Sequence, residues 1–126
     1  MHHYCQGLVA LFRSAKRDKH RKSQLNSAKG NLIYTLRNLQ NPNYILLPDI
    51  YYRLSIVEKE EGNTSEAINY ANKSIQAKKN YLNPHLLLAD IYTKSGDKTA
   101  AKDILLKAKK YHPKSKALKR RIKKIN

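Results

Sequence analysis

Five histidines, one cysteine and nine carboxylates are the side chains of this 126-residue chain that could hold a metal or move a proton. His2 and His3 are adjacent, but no third ligand stands at helical spacing from them, and ligand number is the first requirement of a metal site. His20 lies in a basic run, His85 on a helix face, and His112 just before Pro113. None has a carboxylate or second histidine at metal-binding spacing. Cys5 is the lone cysteine, which excludes an internal disulfide and any cysteine-type zinc pattern. It reads as a small buried hydrophobe beside Tyr4. Glu58, Glu60 and Glu61 cluster before Gly62, at a helix end where carboxylates are expected to be solvated. Four glycines, none next to another, make no phosphate-cradling loop. The chain is therefore read as non-enzymatic, with no catalytic residue, no metal ligand, no cofactor and no small-molecule substrate.

The elements that carry these side chains are helices. Tyr4, Leu8, Leu11, Phe12 and Ala15 form one broad apolar face, and Leu25, Ala28, Leu32, Leu36 and Leu39 form another. A polar turn is expected around residues 18–24, and Asn41-Pro42 closes the second stretch. Further on, a pattern repeats. Tyr51 and His85, Leu54 and Leu88, Ser55 and Ala89, Gly62 and Gly96, and Ala67 and Ala101 are all 34 residues apart. Several matches at one spacing indicate an internal repeat. Each unit divides at its glycine, which ends one helix by adopting positive φ and lets the next begin. Small residues at Ala89, Ala101 and Ala108 suit two antiparallel helices whose axes approach closely.

His85, Leu88, Ala89, Tyr92, Gly96, Ala101, Leu105, Ala108 and Pro113 together resemble a tetratricopeptide (TPR) repeat. His85 replaces the usual Trp, and Leu105 the usual aromatic. Tyr51, Leu54, Ser55, Gly62, Ala67 and Ala71 resemble a second unit, which departs from the pattern at Glu58, Ser74 and Lys79. The resemblance implies an all-α, TPR-like solenoid of about seven helices in antiparallel pairs. Its parts are a diverged first repeat over residues 1–47, a second over 48–81, a third over 82–115 and a capping helix over 115–125. Ser115 is the expected N-cap of that last helix, which turns Leu118, Ile122 and Ile125 inward.

Such arrays bind an extended peptide or partner helix on the surface formed by the first helix of each pair. Carried over residue by residue, that groove comprises Tyr4, Leu8 and Phe12, then Tyr52, Ile56 and Lys59, then Leu86, Asp90 and Thr93. One family subtype grips acidic C-terminal tails through Lys, Asn and Arg on these faces. Tyr4, Leu8, Tyr52, Ile56, Leu86 and Asp90 at the matching places disfavour that subtype and suit an apolar or mixed ligand. The expected role is a protein–protein interaction scaffold. A TPR module of a larger assembly protein is an alternative.

Charge supports a different alternative. The net charge is +17, distributed as +7 over residues 1–47, zero over 48–81 and +10 over 82–126. Arg13, Lys16 and Arg17 at one end, and Lys119, Arg120, Lys123 and Lys124 at the other, form basic patches. They could attract an acidic partner or a polyanion such as nucleic acid or an anionic membrane surface. Lys outnumbers Arg, whereas bidentate phosphate recognition favours Arg, so a solvated surface is the plainer reading. No 18-residue apolar run exists for a transmembrane span. The start, MHHYC, shows no signal peptide, so the cytoplasm is the default location, although a processed exported form would lack one too.

Overall fold

The computed structural model describes residues 21–39 and 45–125. Among them are six helices: α1 (Arg21–Arg37), α2 (Leu47–Glu60), α3 (Thr64–Ala77), α4 (Leu82–Lys94), α5 (Lys98–Tyr111) and α6 (Lys116–Ile125). Residues 21–24 belong to α1 rather than to the expected polar turn. The expected first helix of the first unit, with Tyr4, Cys5, Leu8 and Phe12, lies outside the described residues, as do Arg13, Lys16 and Arg17.

Each helix packs on the next in chain order, and α2 also meets α4. The α2–α3 pair is antiparallel, as two hydrogen bonds across it show. Ser55 Oγ donates to Ala67 O at 2.6 Å, and Ser74 Oγ donates to Pro48 O at 2.6 Å. Both pairs are centred on residue 61, in the turn, so the strands of helix run in opposite directions. Ser55 and Ser74 occupy small-residue positions of the repeat, and both are fully buried. Their hydroxyls meet the requirement that buried polar groups be hydrogen-bonded.

The glycine turns explain the pairing. Gly62 has φ 85° and Gly96 φ 87°. Around Gly62, its N–H donates to Lys59 O and that of Asn63 donates to Glu58 O; around Gly96, its N–H donates to Thr93 O and that of Asp97 to Tyr92 O. This double bond pattern is a Schellman motif, which satisfies the last carbonyls of a helix and needs a left-handed residue. Asp97 then caps α5, its Oδ1 accepting from Ala100 N at 3.0 Å. Asn63, its counterpart, instead donates from Nδ2 to Glu58 at 2.9 Å.

Three buried clusters run along the stack. Leu25, Ala28, Leu32, Ile50, Leu54 and Val57 join α1 to α2. Ala67, Leu87 and Ile91 join α3 to α4, with Tyr52, Ile56 and Ile68 packed on them. Ala89, Leu105, Ala108 and Leu118 join α4 and α5 to α6. Ser115 Oγ accepts from Leu118 N at 3.3 Å, at the N-terminus of α6 as the sequence suggested.

The cluster at the end of α2 departs from the sequence expectation. Glu58 is buried, not solvated. Its Oε1 lies 2.6 Å from Lys29 Nζ of α1, which also reaches Glu61 at 3.9 Å, and Glu60 pairs with Arg21. Carboxylates at a helix C-terminus face the negative end of the helix dipole. Cations from α1 offset that here, so part of the basic excess is structural.

Candidate functional site

The face shared by α2 and α4 carries six of the nine groove residues expected from the sequence. Tyr52 is half-buried. Its ring meets Tyr81 edge-on at 5.8 Å, and the Arg53 guanidinium lies 5.4 Å from its centre. Burial pushes the Tyr52 hydroxyl up, with Arg53 working the other way. Tyr81 donates from its hydroxyl to Asp49 Oδ1 at 3.0 Å and accepts from Asn83 Nδ2 at 3.3 Å. Its pKa is pushed up to about 12, chiefly by burial, so it stays a neutral donor at physiological pH.

Ile56 and Leu86 are only partly accessible, because both pack against the buried clusters that join units. Lys59 is half-exposed. Thr93 directs its hydroxyl back to Ala89 O at 2.7 Å, a bond within its own helix. Asp90 is bound on both oxygens by Arg121 of α6, Nε at 2.9 Å and Nη2 at 3.0 Å. That contact raises the Arg121 pKa, the Asp90 hydrogen bond outweighing burial.

The Asp90–Arg121 pair therefore ties α4 to α6. Sequence reasoning missed Arg121, Tyr81, Asp49 and Arg53. Arg121 did carry a signal: one repeat earlier its place is Leu87, so it is a charge in an apolar register. Lys119, Arg120, Lys123 and Lys124 are all exposed on α6. Two of them, Arg120 and Lys124, also line a cavity between α4, α5 and α6.

The two described histidines each contact a backbone carbonyl. His85 is buried, and its Nδ1 donates to Tyr81 O at 2.8 Å, so that nitrogen carries a proton. His112 Nε2 contacts Asn80 O at 2.6 Å. Among the described residues no group of three or more His, Cys, Asp or Glu is placed to hold a metal ion. No helix among them is long and apolar enough to cross a membrane.

The tetratricopeptide repeat family model matches residues 59–122, about half the chain, beginning late in α2 and ending in α6. This chain belongs to the tetratricopeptide repeat family. The TPR fold is also that of the first TPR domain of Spaghetti (RPAP3), solved bound to the HSP90 peptide SRMEEVD. The two share 11% sequence identity with a TM-score of 0.69, over 97% of this chain and 94% of that one. Among curated proteins, no sequence matches. Within the TPR pattern, His85 takes the place of the large aromatic and is buried as that residue would be. Glu58 takes the place of Tyr92 and is buried through the pairing with Lys29.

Proposed function

We propose that this TPR chain is a non-catalytic protein–protein interaction scaffold. It binds a peptide or partner helix along the face of α2 and α4. The observation that carries the reading is the aromatic platform on that face: Tyr52 braced by Tyr81 and Arg53, bordered by half-exposed Lys59. Aromatic side chains with a polar tip bring large contact area at low entropic cost, which suits recognition surfaces. The related TPR domain of Spaghetti is solved with a peptide, which supports a peptide-like ligand here. Residues 1–47, 48–81 and 82–115 then act as three repeats closed by residues 115–125, and Tyr4, Leu8 and Phe12 extend the same face. The same module would serve inside a larger assembly protein.

The test is recovery of a partner from the native host on the immobilised chain, followed by comparison with Tyr52→Ala. Loss of a specific partner with unchanged melting temperature supports the scaffold. Equal recovery by both chains argues against this face.

A second reading is favoured by one observation. Lys119, Arg120, Lys123 and Lys124 project from α6 into solvent, while Arg121 turns inward to Asp90. Such an array, with Arg13, Lys16 and Arg17 as the other basic patch, would bind a polyanion without sequence preference. Retention on heparin or duplex DNA well above physiological salt supports it; elution below that salt argues against it.

A further inference from the structure

The junction of α4 and α5 with α6 differs from the junction one repeat earlier. At the inner junction, Leu87 and Ile91 are buried against Ala67, and Ile56 packs on them. At the outer junction, 34 residues on, Leu87 is replaced by Arg121 and Ile56 by Asp90. An aliphatic contact has become a two-point ion pair. Its side chains remain 33% and 45% exposed, so this pair does not close the junction as Leu87 does.

Beside the pair lies an open cavity of about 450 Å³. Buried Ala89 and Leu105 form its floor, Ile125 a wall, and Lys98, Arg120 and Lys124 its exposed rim. The lining is mostly apolar. Asp90 is its one carboxylate, and Arg121 already holds both oxygens. The cavity thus combines a mostly apolar lining with three cations at the mouth that no lining carboxylate balances.

We propose that this cavity docks an acidic peptide segment by one large apolar side chain, whose flanking carboxylates meet Lys98, Arg120 and Lys124. The proposal rests on the scaffold reading and gives it a second contact. The inserted side chain supplies to α4 and α5 what Leu87 supplies to α2 and α3. Rim cations speed encounter with an acidic partner, while apolar burial holds it. A sugar–phosphate backbone would satisfy the rim but has no apolar group to place against the lining. The chemistry therefore favours a peptide over a nucleic acid.

The probe is a short synthetic peptide with one leucine among glutamates and aspartates, titrated into the isotope-labelled full chain. The control is the same peptide with serine for leucine, at equal charge. Amide shifts are expected at Thr93, Leu105 and Ile125, with affinity about tenfold or more weaker for the serine peptide. Asp90→Ile with Arg121→Leu recreates the inner junction without changing net charge. It should abolish the leucine preference while the melting temperature holds or rises. Lys98→Gln with Lys124→Gln should weaken binding severalfold and lessen its salt dependence. No binding, equal affinity for the two peptides, or full affinity in the filled-cavity variant overturns the proposal. Shifts at Tyr52 and Lys59 instead would overturn the cavity and leave the scaffold standing. Shifts at Lys119 and Lys123 with both peptides, matched by a duplex oligonucleotide, would overturn both.

Discussion

Lys29 Nζ stands 2.6 Å from the carboxylate of Glu58, which is only 2% exposed. A buried carboxylate that loses its cation is costly, because its desolvation is no longer offset. Lys29→Met should therefore destabilise the chain by roughly 1–3 kcal/mol, leaving Asn63 as the remaining side-chain donor. Adding Glu58→Tyr, the family's usual residue, should recover most of that loss. Urea unfolding of the two variants checks it. The Lys29 pKa is raised, first by its hydrogen bond to Glu58. The sign follows: the contribution is complete below the ordinary lysine value and fades as pH rises through the raised one.

Glycine substitutions should split by backbone conformation alone. A Cβ on Gly96 would meet nothing within 4 Å, yet its φ is +87°. Gly96→Ala should cost about 1 kcal/mol and Gly96→Val more, from backbone strain. Gly30, inside α1 and equally uncrowded, carries no positive φ. Gly30→Ala should stabilise by about 0.5–1 kcal/mol. Opposite signs in chemical denaturation are the expected result.

The register within α5 offers a neighbouring-residue test. Ala101 is fully buried, whereas Ala100 is half-exposed. Ala101→Leu should overpack the α4–α5 contact, at roughly 1–3 kcal/mol. Ala100→Lys should stay within about 0.5 kcal/mol, as surface changes do. Melting midpoints distinguish the two.

The hinge glycines and the inward alanines were legible because they repeat at 34 residues and their roles are local. A Schellman turn needs only its own few residues. The buried state of Glu58 was not legible, since its partner Lys29 lies 29 positions away in a unit without the repeat's landmarks. Arg121 is similar: its side chain finds Asp90 across 31 residues, and only alignment with Leu87 marks the position as unusual. Groove membership was the least legible. Ile56 and Leu86 satisfy both the groove and the core patterns, and in the structure both are half-buried beside a core cluster.

Acid should loosen the third repeat. His85 is buried, and its pKa is lowered, first by burial, with His112 and Lys107 adding repulsion. The unfolded chain therefore takes up a proton that the folded one resists. Stability is complete above the ordinary histidine value near 6.5 and declines as pH falls through it toward the lowered one. His85→Tyr should flatten the stability profile between about pH 7 and 5, the span flanking ordinary histidine titration. Urea midpoints across that range measure it, and an unchanged slope would place the proton uptake elsewhere.

The last helix separates packing from charge. Leu118 is 1% exposed and joins Ala89, Leu105 and Ala108 in one cluster, with Ile122 packed beside it. Leu118→Ala should cost roughly 2–5 kcal/mol, because a buried leucine leaves both lost transfer energy and a cavity. Leu118→Asp with Ile122→Asp should detach α6 altogether, lowering the melting temperature while most of the positive charge remains. Changing Lys119, Arg120, Lys123 and Lys124 to Gln does the converse. These side chains are exposed, so helicity should persist, with shifts of no more than about 0.5 kcal/mol each. If the four-Gln chain keeps its protein partner, the charge is a solvated surface. If instead it loses duplex DNA with a salt slope flattened by up to about four, those cations were releasing counterions and the polyanion reading gains. Circular dichroism on each variant ensures that a lost partner is not a lost fold.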